Sequence, residues 1–362
     1  MNQILKLLIS SLFFILPFGQ LTRLPIPHLS INIYLHDLII SFILLCWLST
    51  KPKKLPPLTK PISLFILTAL ASLIIASFRL PLQSILISSL YLIRWSIYAS
   101  LYFVLSDKNL NKLPLKKLLV TSASLLAIFS LAQYIFLPDT RFLKVLDWDD
   151  HYYRVISTLG DPTFVGIILV LALILLPTLN SPWWFYPLFL LPLLLTYSRS
   201  SYLSLLAAAI TTFILKTKSK IFLLITIFLL IALPFLPRPG GEGVKLERRF
   251  SITQRLANYQ EGITLFKQSP IFGIGFNTLR FYRHDQTSHA AAGLDSSLLF
   301  VLTTSGIIGL LAYLNLLKHL WQTSGILKIS LSALLIHSLF SNSLFYPYTM
   351  IWLWVLLATE YS

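Results

Sequence analysis

One cysteine, Cys46, is all that the 362 residues contain, which excludes an intrachain disulfide and a metal centre built from cysteines. Charge is scarce as well. Only 12% of the residues are charged, where a soluble domain carries about a quarter. Acid is scarcer than base, with 13 Asp and Glu against 29 Lys and Arg. In a soluble chain that surplus would point to nucleic acid. Here 56% of the residues are hydrophobic and the mean hydropathy is +0.77, which excludes a soluble nucleic-acid binder and specifies an integral membrane protein. A cleavage signal after the first apolar run is also not evident. Lys6 precedes an apolar run, but Pro17-Phe18-Gly19-Gln20 offers no small-x-small cleavage site, so the run reads as a retained first span.

What is present is a series of apolar stretches near the length needed to cross a bilayer, about 20 residues. They fall at 4–21, 33–49, 62–77, 83–105, 118–137, 163–180, 184–198, 200–215, 221–236, 297–316, 326–341 and 347–360. The predicted architecture is therefore all-α and polytopic, with about 12 transmembrane helices. The turns between them sort their bases by type. Lys51, Lys53, Lys54 and Lys60, then Lys108, Lys112, Lys116 and Lys117, then Lys216, Lys218 and Lys220, then Lys318 and Lys328 fall on one side. Lysine excess in short loops marks the cytoplasmic face, which places both termini inside. Nearly all the arginines take the other side: Arg23, Arg79, Arg141, Arg154, Arg199, Arg238, Arg248, Arg249, Arg255, Arg280 and Arg283. Guanidinium forks pair bidentately with phosphate, so the outer face is expected to handle a phosphorylated ligand.

Two outer loops are long. The first, 138–162, carries Asp139, Asp147, Asp149, Asp150 and Asp161 beside Arg141, Lys144 and Arg154. Asp147, Asp149, Asp150 and His151 fit a divalent cation less well than a glycan contact, with Trp148, Tyr152 and Tyr153 as stacking faces. The second, 237–296, divides the bundle into 1–236 and 297–362. It contains an amphipathic stretch over 252–268, with Ile252, Leu256, Tyr259, Ile263 and Phe266 at helical spacing. Ser269-Pro270 ends that helix and Gly273-Ile274-Gly275 makes a tight turn.

Three places carry candidate chemistry. Arg199 lies between two apolar runs with almost no loop, where a charge is costly unless partnered. It reads either as an interfacial anchor or as an anion ligand, with Ser198 and its neighbours adding donors. Arg255 and Tyr259 share one face of the amphipathic helix, and Glu261 has Lys267 or Arg248 within reach. Asp295 opens the tenth span, either as the acid that caps the helix or as a base for a substrate hydroxyl; His289 is the other candidate base. Arg94, inside a span, is a functional candidate by position, lining a lipid groove or locked to Asp37. His337 reads as a buried packing residue.

The succession TYSRSSYLS, QRLANYQEGITLFKQSPIFGIGFNTL and LDSSLLFVLTTSGIIGLLAYL resembles the O-antigen ligase and O-antigen polymerase superfamily. The likeness extends over about 150–345. It implies a GT-C-type fold with a large extracytoplasmic loop between late spans. It also implies glycan transfer from an undecaprenyl-pyrophosphate carrier to an acceptor hydroxyl on a glycan, lipid or protein, at the outer face of the bacterial cytoplasmic membrane. Neither metal nor cofactor is implied. Arg199 and Arg255 would bind the pyrophosphate. Where the family usually has histidine followed by asparagine, this chain has Asp295-Ser296. Aspartate can replace histidine as a base, but not as a cation toward pyrophosphate; His289 or Arg283 would then supply the charge. A polysaccharide flippase or secondary transporter is the rival class, though no repeated halves of the kind those proteins use are evident.

The charge sorting is directly testable. A reporter active only in the cytoplasm should be active when fused after Lys218 and inactive when fused after Arg238. The opposite pattern would invert the orientation.

Overall fold

The computed structural model describes residues 2–26, 31–51, 55–107, 113–146, 148–216, 220–283 and 289–361. Lys53, Lys54, Lys108, Lys112, Lys218 and Asp147 lie outside the described residues. The chain forms helices α1 (Asn2–Ile15), α2 (Leu35–Leu48), α3 (Thr59–Ala76), α4 (Leu82–Leu105), α5 (Leu115–Phe136) and α6 (Pro162–Leu175). They continue with α7 (Phe185–Leu195), α8 (Arg199–Ile214), α9 (Lys220–Ala232), α10 (Phe250–Gln268), α11 (Ser297–Trp321), α12 (Gly325–His337) and α13 (Pro347–Ala358). Six are long and apolar enough to cross a membrane: α1 with its continuation to Thr22, α3, α4, α5, α6 with its continuation to Leu179, and α11. Helices α2, α7, α12, α13 and most of α9 are apolar but shorter.

The predicted start of the second span is corrected. Instead of beginning at 33, it begins at Leu35, because residues before it form an antiparallel strand pair, β1 (Arg23–Ile26) and β2 (Ile31–Tyr34), with Arg23 opposite Tyr34. Pro25 denies a helix its hydrogen bond, while the alternation Ile31-Asn32-Ile33-Tyr34 suits a strand.

Helices α6 and α13 form the centre. Val165–Leu176 and Tyr348–Ala358 are buried on every side, as expected of helices apolar all round. Late helices pack against early ones: α11 on α3, α12 on α8, α13 on α4. At one end Lys116 pairs with Glu360 at 4.0 Å and Trp47 Nε1 donates to Asp107 Oδ2 at 3.1 Å.

Helix α11 is broken at Gly306, whose φ of +67° is left-handed. The break is stitched by the turn that follows α10. Ile307 N donates to Pro270 O at 2.9 Å, and Ile308 N to Ile271 O at 3.3 Å. In return Ile274 N donates to Thr303 O and Gly275 N to Thr304 O, both at 3.0 Å. Backbone groups released by the break thus find partners inside the bundle, which an apolar surrounding requires. A Cβ at Gly306 would collide with the Ile271 carbonyl. Gly306→Ala is expected to destabilise the fold by about 1–3 kcal/mol, from the left-handed backbone and the clash together. A lowered unfolding midpoint of the protein in detergent would register this; an unchanged midpoint would show that the break is dispensable.

Candidate functional site

The site grows from the turn between α7 and α8. Thr196, Tyr197 and Ser198 reverse the chain in three residues, with Tyr197 held left-handed at φ 49°, a conformation costly for a bulky side chain. Ser198 caps α8 by accepting from Ser201 N, and it is 2% exposed. It is therefore spent on structure. Three arginines grip this turn and the segment above it. Arg154 Nε donates to Thr196 O at 3.0 Å, and Arg248 Nη2 donates to Tyr197 O at 3.2 Å. Arg199 reaches the other way, to Leu246 O at 3.1 Å, Arg248 O at 3.3 Å and Ser251 Oγ at 2.6 Å. The turn and the start of α10 are interlocked by reciprocal guanidinium-to-carbonyl bonds.

Arg255 stands differently. Its Nε donates to Phe340 O at 3.2 Å, and its guanidinium lies 5.9 Å from the Phe340 ring centre. Its two terminal nitrogens take no hydrogen bond among the described residues. The Tyr259 hydroxyl, one turn on, is held by the Leu339 carbonyl and lies 3.4 Å from Asp295 O. Asn258 Oδ1 accepts from Asp295 N at 2.8 Å. One face of α10 thus docks on the α12–α13 connection and on the entry to α11.

At that entry Ser296, not Asp295, is the N-cap, accepting from Leu299 N. Asp295 is released from capping, and its carboxyl makes no hydrogen bond among the described residues. Burial pushes that carboxyl above the usual carboxylate range, opposed by Arg255 and Arg283 and aided by Asp161 and Asp149. Arg283 is fully engaged. It holds Glu261 bidentately at 2.9 and 2.6 Å and donates to Ala291 O and Gly293 O at 2.9 and 3.0 Å. The expected pairing of Glu261 with Lys267 or Arg248 is replaced by this clamp, which shapes the approach to Asp295. His289 opens a short 3-10 turn, His289–Ala292; its side chain lies outside the described residues.

The positive charges press on one another. Burial and Arg248 lower the Arg154 guanidinium to about 9. Burial with Arg199 and Arg255 lowers Arg248 to about 10. Sequence reasoning gives Arg154 and Arg248 no role in a site, since they sit in loops like any solvated base. Their only signal is that arginine outnumbers lysine in these loops. An anion placed among Arg199, Arg248 and Arg255 would relieve that repulsion.

Arg94 forms the expected lock to Asp37, at 3.0 Å, while the Tyr98 hydroxyl donates to the other oxygen of that carboxylate. It also lines a cavity of about 500 Å³ with Arg23, Arg280 and a set of aromatic rings. A smaller adjoining cavity, about 190 Å³, shares Arg23 and is walled by Trp148, Asp149 and Asp161. A third, about 510 Å³, is largely apolar and lined by Phe129, Leu137, Phe142 and Trp148. Arg199, Arg255 and Asp295 do not line these three cavities; Asp149 and Asp161, on the wall of the smallest, act electrostatically on Asp295. His337 is buried, with Nε2 3.2 Å from Thr163 O and Nδ1 against Ser343, and it ties α12 to α6.

Fold and site together define a multi-pass helical membrane protein with an arginine-rich end. Residues 184–314 match the family model described as O-antigen ligase. The match runs from α7 into the second half of α11, takes in all three motifs, and supports placing the chain in the O-antigen ligase and O-antigen polymerase superfamily, a group of membrane glycosyltransferases. Comparison with curated proteins finds no match.

Asp295 offers a stability test. A carboxyl raised in the fold binds its proton more tightly there than in the unfolded chain, so its ionisation costs stability. That cost is absent at acid pH and grows as pH rises from the usual carboxylate range through the raised value. Asp295→Asn is therefore expected to raise the unfolding midpoint at pH 7.5 and leave it unchanged near pH 4. A lowered midpoint at pH 7.5 would mean that the charged carboxylate is favoured by the fold.

Proposed function

We propose that the protein transfers a glycan from an undecaprenyl-pyrophosphate carrier to an acceptor hydroxyl at the extracytoplasmic face of the bacterial cytoplasmic membrane. The scaffold is read as twelve spans of GT-C type, with lysine-bearing turns and both termini cytoplasmic. Arg255 is the principal ligand of the carrier's pyrophosphate, and Arg199 fixes the loop that presents it while adding positive charge nearby. Asp295 accepts the proton of the attacking hydroxyl. The carrier's prenyl chain lies along the apolar cavity beside Phe129 and Phe142. The observation that carries this reading is a pair on neighbouring elements of one electrostatic cluster: among the described residues the two terminal nitrogens of Arg255 are unengaged and the Asp295 carboxyl makes no hydrogen bond.

The chemistry is a single displacement. The hydroxyl oxygen bonds to the anomeric carbon as the bond from that carbon to the pyrophosphate oxygen breaks, so the configuration inverts. Negative charge grows on the leaving diphosphate, where fixed guanidinium groups stabilise it most. The raised Asp295 carboxyl is a stronger base than an exposed aspartate, which brings it closer to the working pH.

With donor and acceptor supplied to membranes containing the protein, Asp295→Asn is expected to reduce transfer about 100-fold or more, the usual scale of lost general-base catalysis. Arg255→Lys keeps the charge but loses the fork, and should lose at least about tenfold. Near-wild-type transfer by both variants, at equal protein levels, would remove this pair from the reaction. Deleting the gene separates the two activities of the superfamily: collapse of a glycan ladder to a single repeat marks a polymerase, and accumulation of long carrier-bound chains marks a ligase.

A further inference from the structure

The cavity of about 500 Å³ borders the elements of the transfer site without being lined by Arg199, Arg255 or Asp295. Two segments of its wall lead there. Ala292 and Gly293 line it, and Asp295 comes two residues after Gly293. Asn342 and Tyr346 line it as well, on the connection whose Phe340 carbonyl accepts from Arg255 Nε at 3.2 Å.

Four polar atoms of this wall are left over. Asn277 Nδ2, Asn342 Oδ1, Tyr346 Oη and Tyr348 Oη are buried without a hydrogen-bond partner among the described residues, and all four residues line the cavity. Orphaned buried polar groups are rare in native proteins and cost the fold free energy. Asn277 and Tyr348 are 6% and 7% exposed, so neither belongs to the outer surface. The tyrosine rings are held in place. Tyr346 stacks on Phe164 with centroids 3.7 Å apart, and Tyr348 meets His36 edge-on at 5.2 Å. Their hydroxyls are therefore placed in advance, and a ligand need not order them. All four orphans are neutral, so they select for hydroxyl and amide rather than for charge. Trp95 and Phe345 add apolar ring surface to the same wall. A hydroxyl-bearing rim around apolar faces describes a sugar ring.

We infer that this cavity seats the terminal sugar ring of the acceptor, recognised through its hydroxyls by Tyr346, Tyr348, Asn342 and Asn277. This assignment rests on the reading that the chain joins glycans, and it adds the grip on the acceptor that a displacement needs. The attacking oxygen must be held in line with the anomeric carbon, and a ring fixed at several hydroxyls orients the one left free. The acceptor is chosen over the donor because the donor's sugar rides on the diphosphate at Arg255, off this wall. Gly293, in contrast, leads straight to the proposed base.

The test titrates four neutral disaccharides, maltose, lactose, mannobiose and chitobiose, into the full-length protein in lipid nanodiscs by calorimetry. At least one should bind wild type, and Tyr346→Phe/Tyr348→Phe should weaken it about tenfold or more, as two lost hydrogen bonds imply. The same variant should unfold at an unchanged or higher midpoint, because it removes two orphaned oxygens from the interior. If the pair does not fold, Tyr346→Phe alone should weaken binding about threefold. Binding by none of the four overturns the inference, as does unchanged affinity in the variants. Affinity lost only together with stability overturns it too, since the hydroxyls would then serve the fold. In transfer assays the double variant should raise KM for the acceptor about tenfold and leave KM for the donor unchanged. A raised donor KM instead puts the donor's sugar here and overturns the acceptor assignment. Failure of the transfer reading looks different: a disaccharide still binds wild type more tightly than the variant, while Asp295→Asn transfers at the wild-type rate.

Discussion

A guanidinium group at the edge of an apolar bundle must find oxygen, and the arginine-bearing end of this protein is organised around that requirement. Several arginines answer it with backbone carbonyls. Arg154 and Arg248 hold the turn between α7 and α8, Arg199 holds the approach to α10, and Arg283 holds the approach to α11. The first three of these bonds join segments far apart in the chain, so the charges that are hardest to bury also define where the long loop sits. The mutual repulsion left over falls between Arg199, Arg248 and Arg255, where a diphosphate is proposed to bind.

The broken α11 belongs to the same construction. Its interruption at Gly306 accepts the turn after α10 through four backbone hydrogen bonds. That fixes the far end of α10 just as Arg199 fixes the near end. Held at both ends, α10 presents Arg255, Asn258 and Tyr259 toward Asp295 and the α12–α13 connection. A helix on a free loop could not place a guanidinium and a carboxyl in one field; a helix anchored to two spans can.

Much of this is legible in the chain. Periodicity over 252–268 locates α10, and Ser269-Pro270 locates its end, because an amphipathic face and a proline stop are local properties. Arg199 stands out since its neighbours are apolar on both sides. The hairpin at Arg23–Tyr34 escapes a sequence reading because four-residue strands carry too few alternations to be separated from a loop. Arg23 and Arg280 count among the outer arginines without a role of their own, because nothing near them in sequence marks a cavity. Asp295 reads as a cap or a base with equal warrant, and only the position of Ser296 resolves the capping question.

The sequence by itself determined the medium and the division of charge. A chain so apolar, with lysines and arginines in separate turns, belongs in a bilayer with two unlike faces, and this follows from composition and spacing alone. Tertiary structure decided which arginines are occupied and which have donors to spare. That distinction depends on backbone carbonyls brought from 42 to 85 residues away, and no local pattern encodes where such a carbonyl will be.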